Sequence, residues 1–381
     1  MQRFPCYNIQ SLVCMYSYIQ VYMYMKNKIK IDLKFWRSKM KKLLALILAI
    51  SMLALSACSG NQAPAGDESS NKKVKLSFSS AANENSTWHL GATKFVELVN
   101  EKTNGKFEIT IYTSDQLSGG NQATGIELLQ QGSTDIHLTD ALVWSSIQPK
   151  AILPAMPWLL PTYEEVDKYM NGEGGQALLD AISESGVVVI GIGEGGYRQV
   201  VNTRNAIRTP EDMTGLKMRI PGSNVHVSLL KYLGADPITM SSSEVYTATQ
   251  QGAIDASENT IDLLLSQRTL EVSDYLTLWN YSYDPLFLTV SEKLWNSLTD
   301  EEKQIFKDAS KEAMDLQKEA TRERVAESLE TIKKDYPELE IVEELTPKEL
   351  QAFKEKVAPV YNDNKDSIGE ELFNKFGYTF N

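Results

Sequence analysis

One long helical pattern constrains this chain more than any other feature. Residues 299–334, roughly 36 in a row, contain neither glycine nor proline, and a straight helix of that length reaches about 54 Å. A small lobe is only about 30 Å across. The pattern therefore predicts a helix that runs along two lobes, or two shorter helices with a turn near residues 321–324, which leaves the same architecture.

The distribution of charge excludes one class of partner. Residues 1–57 hold nine of the 38 basic residues and one of the 50 acidic residues, so the chain from Cys58 onward carries a net charge of about −20. Nucleic acids require a basic surface that neutralises phosphates. We therefore expect no nucleic-acid partner for this acidic protein.

The residues that commonly hold metals or form disulfides are few and scattered. All three cysteines precede the folded part, which excludes a disulfide framework there: Cys6, Cys14 and Cys58. The three histidines lack the spacing of metal ligands on one helix or turn: His89, His137 and His226. We expect neither a metal nor a cofactor.

An export signal is indicated at residues 40–57. A basic start, Met-Lys-Lys, precedes an apolar run at 43–55 that is too short to span a bilayer comfortably. Leu-Ser-Ala-Cys at 55–58 resembles the bacterial lipobox, which implies that Cys58 becomes the lipid-bearing first residue of the mature protein. The alternative is a chance cysteine at the end of a transmembrane helix.

The segments on either side of this signal have simpler interpretations. Residues 1–39 would place the basic start far inside the chain, so we interpret them as an artefact of an upstream start site; a short leading membrane segment is the alternative. Residues 58–73 are small and polar and predict a flexible tether. The folded body is expected to begin near Val74.

The body shows two α/β sets in succession, which predicts parallel sheets. The first set has strands at 74–78, 107–112 and 135–138 and helices at 88–103 and 125–131. The second set has a strand at 216–220 and helices at 224–233 and 243–252. A further strand at 187–192 lies between them.

Glycines at 191, 193 and 196 formally match a dinucleotide-binding pattern. Such a site needs a helix directly after the third glycine, whereas the residues that follow Gly196 read as an extended segment. We therefore interpret the glycines as a crossing or hinge between lobes.

Several motifs in order resemble the solute-binding subunits of tripartite ATP-independent periplasmic (TRAP) transporters, of the dicarboxylate- and sialate-binding type. The resemblance covers about residues 74–361. Its clearest stretches are SDQL at 114–117, GYRQ at 196–199, TPEDMTGLKMRIPGS at 209–223, LGADPITM at 233–240 and SEVYTATQQGAIDASEN at 243–259.

The resemblance implies an α/β fold of the periplasmic-binding-protein type, a two-lobed clamp with the long helix bracing both lobes. We place the first lobe at 74–195 plus 285–324 and the second at 196–284 plus 325–381, with hinges near residues 195 and 284. It also implies capture of a small carboxylate and delivery to the membrane permease subunits.

Three residues on the second-lobe side match the family's ligand contacts. Arg219 matches the arginine that binds the substrate carboxylate, and a guanidinium offers a planar two-pronged donor for that purpose. Arg198 matches a second family arginine and Asn259 a ligand-binding asparagine. For each, a purely structural role remains the alternative.

The first-lobe side of the pocket is less sharply defined by the resemblance. Glu84, His89, Asp140 and Trp144 fall in pocket-lining regions, although Trp144, like Trp88, is equally interpretable as a core aromatic. Two positions depart from the family, namely Ser242 where relatives carry an aromatic residue and Thr260 where proline is usual. We expect Tyr283 to refill some of the volume at Ser242.

Two other functions share this sequence evidence in part. Paired acids such as Glu84 and Asp140 resemble the carboxylates of glycoside hydrolases, but such pairs arise by chance in an acidic chain, and no nucleophile elbow, zinc set or phosphate loop is present. We therefore expect a binding protein and not an enzyme. A ligand-sensing subunit for a signalling receptor would use the same fold.

Overall fold

The computed structural model describes residues 73–380, so the export signal, Cys58 and the tether lie outside the described residues. The ten strands of this part are β1 Val74–Ser80, β2 Phe107–Tyr112, β3 Ile136–Asp140, β4 Val187–Asn202, β5 Lys217–Ile220, β6 Asp236–Thr239, β7 Ala256–Thr260, β8 Tyr275–Thr277, β9 Tyr283–Ser291 and β10 Glu340–Val342.

Fourteen α-helices accompany these strands between residues 73 and 380. They are α1 Thr87–Lys102, α2 Gln122–Gln130, α3 Ala141–Trp144, α4 Tyr163–Met170, α5 Glu173–Ser183, α6 Asn224–Tyr232, α7 Val245–Gln250, α8 Ile261–Ser266, α9 Glu292–Ser297, α10 Asp300–Asp335, α11 Pro347–Val357, α12 Pro359–Asp363, α13 Lys365–Ile368 and α14 Glu370–Lys375. None of these helices is both long enough and apolar enough to cross a membrane.

The strands form two parallel sets that meet through two antiparallel strands. The order is β2-β1-β3-β9-β4-β7-β5-β6; β8 also pairs with β4, and β10 pairs with β8. Strand β1 runs parallel to β2 and β3, and β5 runs parallel to β6 and β7. We call β1–β3 with α1–α3 the first lobe and β5–β7 with α6–α8 the second lobe. The predicted two-lobed α/β fold is confirmed.

Strand β4 belongs to both lobes. Its first part pairs with β9, which in turn pairs with β3 of the first lobe, and its last part, from Arg198 to Asn202, pairs with β7 of the second lobe. The pairing with β9 is irregular between Val189 and Gly191 and between Glu194 and Gly196. Because β4 continues past Gly196 as a strand, no helix N-terminus follows the glycines, and the dinucleotide interpretation is excluded.

The long helical pattern forms one continuous helix, α10, so the alternative with a turn near residue 321 is wrong. Thr299 caps it, accepting a hydrogen bond from the Glu302 N–H while the Glu302 carboxylate accepts from the Thr299 N–H. Helix α10 packs on α1 so closely that a Cβ at Gly91 would lie 2.8 Å from the Cβ of Gln317. A glycine in α1 therefore allows the two helices to touch.

Gln317 of α10 also completes the backbone of β4 where the strand is irregular. Its Oε1 accepts from the Glu194 N–H at 2.8 Å, and its Nε2 donates to the Glu194 carbonyl at 2.7 Å and to Thr321 Oγ1 at 2.8 Å. The side chain is fully buried. The helix thus supplies hydrogen bonds that the neighbouring strand does not provide.

Replacing this amide tests that contribution. Gln317→Leu should lower the free energy of unfolding by roughly 2–6 kcal/mol, because two buried backbone groups lose their partners at about 1–3 kcal/mol each. Urea denaturation measures the change. Gln304→Leu, on the exposed face of the same helix, serves as the control and should stay within about 0.5 kcal/mol. Equal losses in the two variants would contradict the assignment.

Candidate functional site

A small cavity lies where the two lobes face each other. Its volume is about 10 Å³, which is close to the minimum that holds one water molecule. Two larger cavities, of about 500 and 210 Å³, share lining residues with it and extend the crevice between the lobes outward. The residues that line the small cavity are Ala81, Trp88, Gln122, Asp140, Arg198, Arg219, Pro221, Ser242, Asn259 and Leu263.

Strand β5 brings Arg219 to this cavity. The alternation of the strand points Met218 into the core, and Arg219, only 1% exposed, faces the crevice. Its Nε and Nη2 donate to the Met240 carbonyl at 3.1 and 2.9 Å. A guanidinium has five N–H donors, so three remain for another acceptor, two of them side by side on the edge formed by Nη1 and Nη2. No acid among residues 73–380 forms a salt bridge with Arg219.

The electrostatics of Arg219 follow from its burial. Burial lowers the pKa of Arg219 to about 10, Glu258 opposes this change and Arg198 adds to it. The guanidinium therefore remains charged at neutral pH. A buried cation without an acidic partner is costly, so the site favours an incoming anion.

Arg198 is equally buried but has its partners already. Its Nε and Nη2 donate to the two carboxylate oxygens of Glu258 on β7, the latter at 2.9 Å, and its Nη1 donates to Asp284 Oδ2 on β9 at 2.6 Å. Burial acts to lower the pKa of Arg198, but Glu258 and Asp284 outweigh it and leave that pKa raised. Tyr281 Oη also donates to Glu258 at 2.8 Å. Arg198 thus joins three strands at the wall of the cavity.

Asn259 and Ser242 both reach the cavity from the second lobe. Asn259 Oδ1 accepts from the N–H of Thr260 at 3.0 Å, which orients the amide. Ser242 Oγ donates to Gln267 Oε1 at 2.9 Å. Each presents an uncharged polar group beside Arg219.

Asp140 contributes the acid of the first-lobe wall. It caps α3, with Oδ1 accepting from the Val143 N–H at 2.9 Å, and is 4% exposed. Burial, the largest influence, raises the pKa of Asp140, while the charge of Arg198 opposes the change.

Four residues predicted for the site lie elsewhere in the structure. Trp144 is fully buried in the core and does not line the cavity. Tyr283 is buried beside the crossing of β4 and β9, where its Oη donates to Glu194 at 3.1 Å, so it does not refill the space at Ser242. Glu84 is exposed and His89 is half-buried on α1, and neither lines the cavity. The suggested Glu84–Asp140 pair is therefore not assembled there.

The structure adds residues that the sequence did not single out. These are Gln122, at the start of α2, and Leu263, on α8, which both line the cavity. Of the two tryptophans that the sequence left open as pocket or core residues, Trp88 lines the cavity and Trp144 does not. Gln122 follows the sequence Gly-Gly-Asn at 119–121. That pattern indicates a turn before a helix but only weakly indicates a binding residue. Glu258 was visible inside the motif that carries Asn259, but its pairing with Arg198 was not.

These features define a class of protein: two α/β lobes joined by crossing strands, with a buried unpaired guanidinium in the crevice between them, form a solute-binding clamp. Residues 78–366 match the DctP family model, described as bacterial extracellular solute-binding protein, family 7. The chain belongs to that family, and the predicted TRAP solute-binding type is confirmed.

Similar proteins match this chain over most of their own length. The C4-dicarboxylate-binding protein DctB of Bacillus subtilis (strain 168) is 28% identical over 300 residues, which cover 79% of this chain and 85% of that protein. The crystal structure of a TRAP periplasmic solute binding protein from Ralstonia eutropha H16, with bound (S)-2-acetolactate, has a TM-score of 0.76 and 30% identity over 79% of this chain and 97% of that one.

A second solved structure is similar to the same degree. The TRAP periplasmic solute binding protein from Sulfurospirillum deleyianum DSM 6946, with bound succinate, has a TM-score of 0.75 and 28% identity. The match covers 80% of this chain and 99% of that chain.

The pairing of the two arginines predicts different effects on stability. Arg198→Met should cost about 3–5 kcal/mol, because it leaves Glu258 and Asp284 as buried acids without their cation. Arg219→Met removes a cation that has no acidic partner and should cost at least about 2 kcal/mol less. Chemical denaturation without added ligand gives both values. Equal losses would show that Arg219 is held by a partner as strong as those of Arg198.

His226 predicts a dependence of stability on pH. The ring is fully buried on α6 beside Tyr281, at 5.8 Å between ring centroids. Burial lowers the pKa of His226 to about 4, against about 6.5 in an unfolded chain. Because the unfolded chain binds the proton more readily, stability is lost as the pH falls from about 6.5 to 4, by about 3 kcal/mol from this group.

The measurement compares unfolding free energies of the wild type and His226→Gln at pH 7 and pH 4. The wild type should lose about 3 kcal/mol more than the variant over this interval. Gln304→Leu, the exposed substitution on α10, removes no titratable group, serves as the control and should keep the wild-type slope. Parallel pH profiles for the wild type and His226→Gln would contradict the prediction.

Proposed function

We propose that this protein captures a small organic acid between its lobes and passes it to the membrane subunits of a TRAP transporter, acting as a binding protein without catalysis. The observation that carries the proposal is the unpaired edge of the Arg219 guanidinium, buried in the interlobe cavity. A carboxylate matches that edge in charge and geometry.

The orientation of Arg219 supports this role. The Met240 carbonyl holds Nε and Nη2, so the opposite edge is fixed before a ligand arrives and little entropy is lost on binding. Each charge-assisted hydrogen bond contributes about 1.5–3 kcal/mol. Two of them account for a large part of the roughly 8 kcal/mol of a micromolar affinity.

The cavity volume implies that the lobes must separate to admit the ligand. A space of about 10 Å³ is far smaller than a four-carbon acid. Two contacts between lobes lie beside it: Asn83 Nδ2 donates to the Ser266 carbonyl at 2.9 Å, and the Thr87 N–H donates to Asp262 Oδ2 at 3.1 Å. Opening would break these hydrogen bonds, and closing over a ligand would restore them.

Similar proteins support the class of ligand. The two crystal structures contain bound acetolactate and bound succinate, and the Bacillus relative is named as a C4-dicarboxylate-binding protein. These ligands share a carboxylate group, which is the group that Arg219 can bind. We carry only that shared chemistry over to this chain.

The export signal and Cys58 complete the proposal. A lipid on Cys58 and the polar residues that follow it would hold the body at the outer face of the cell membrane, within reach of the permease. Mass spectrometry of the N-terminal peptide tests this part: the proposal expects a lipidated Cys58 as the first residue.

Calorimetry with a panel of organic acids tests the binding site. The wild type should bind at least one acid, and Arg219→Met should weaken that binding at least a hundredfold, because two charge-assisted hydrogen bonds are lost. Arg204→Met, at a largely exposed arginine of the same chain, is the matched control and should bind as the wild type does. Unchanged binding in Arg219→Met would refute the role of Arg219.

A further inference from the structure

We infer that Asp140 makes this pocket select acids that carry one carboxylate and a hydroxyl group over dicarboxylates. The inference rests on the proposed binding of a carboxylate by Arg219. It concerns the rest of the ligand, which the first-lobe wall would contact.

The balance of charge in the cavity disfavours a second carboxylate on the ligand. Two arginines and three acids are buried together: Arg198, Arg219, Asp140, Glu258 and Asp284. Arg198 is occupied by Glu258 and Asp284, which leaves Arg219 and Asp140. One ligand carboxylate uses Arg219. A second carboxylate would find no unpaired cation among the described lining residues and would meet the acid of Asp140 instead.

The position of Asp140 leaves one of its carboxylate oxygens for a ligand. Its Oδ1 is held by the N–H of Val143, and no described residue forms a hydrogen bond with Oδ2, although the side chain lines the cavity. A carboxylate oxygen is an acceptor. A ligand hydroxyl can donate to it, whereas a second ligand carboxylate cannot. A second ligand carboxylate next to an ionised Asp140 would meet like-charge repulsion.

The remaining polar lining groups suit hydroxyls and supply no positive charge for a second carboxylate. Trp88 carries a buried indole N–H that no described residue accepts, and it can donate to a hydroxyl oxygen. Asn259, Gln122 and Ser242 are uncharged. They can exchange hydrogen bonds with hydroxyl groups in either direction but cannot neutralise an anion as an arginine would.

Calorimetry at pH 8 with three matched four-carbon acids tests the inference. Butyrate has one carboxylate, erythronate has one carboxylate and three hydroxyls, and succinate has two carboxylates. The wild type should bind erythronate at least tenfold more tightly than either of the others. Asp140→Asn removes the charge and keeps the size and the helix cap, since asparagine caps as well as aspartate. It should shift the ratio of succinate to erythronate affinity at least tenfold toward succinate.

Two controls separate this selectivity from folding and from the proposed function. Asp236→Asn, at an exposed position on β6, should leave all three affinities unchanged, and the melting temperature of Asp140→Asn should stay near that of the wild type. Binding of succinate that needs Arg219 but ignores Asp140→Asn would overturn the inference and leave the proposed function intact. Wild-type binding of succinate as tight as that of erythronate, or no binding of erythronate, would also overturn it. Binding that is unaffected by Arg219→Met would instead overturn the proposed function.

Discussion

The structure depends on a buried cluster of charges at the point where the two lobes share their strands. Arg198 of β4 is bonded to Glu258 of β7 and to Asp284 of β9, and all three side chains are almost fully buried. Taking such ions out of water costs several kcal/mol each unless geometry and hydrogen bonds compensate. Here the forked contacts to Glu258, the bond to Asp284 and the hydroxyl of Tyr281 provide that compensation. The cluster therefore fixes three strands from two lobes at one point.

The same cluster gives Arg219 its distinct character. Two arginines with the same burial line one cavity, and they differ in what holds them. Acids neutralise Arg198, whereas Arg219 is held on one edge by a backbone carbonyl that carries no net charge. A buried cation that is held only by an uncharged group destabilises the folded protein unless an anion binds beside it. The position of the acids, and not that of the arginines, decides which residue is available to a ligand.

Local patterns predicted much of the fold and part of the site. The strand predicted at 216–220 is β5, Lys217–Ile220, and the helical pattern after residue 299 predicted α10 to within one residue at each end. The pairing of Arg198 could not be predicted, because Glu258 and Asp284 are 60 and 86 residues away in the sequence. Tyr283 and Trp144 were misplaced for a related reason. Strand β9 is buried on both faces and α3 has only four residues, so neither shows a periodicity that reveals which way a side chain points.

The route of the chain through the two lobes has a consequence for how the protein is made. Strand β3 needs β9 at its edge, and α1 needs α10 against its side, yet both partners come from beyond residue 282. A growing chain therefore holds an incomplete first lobe until most of its length has been synthesised. Contacts so distant in sequence slow folding. The first lobe therefore stays incompletely folded, and open to other binding partners in the cell, until β9 and α10 are available.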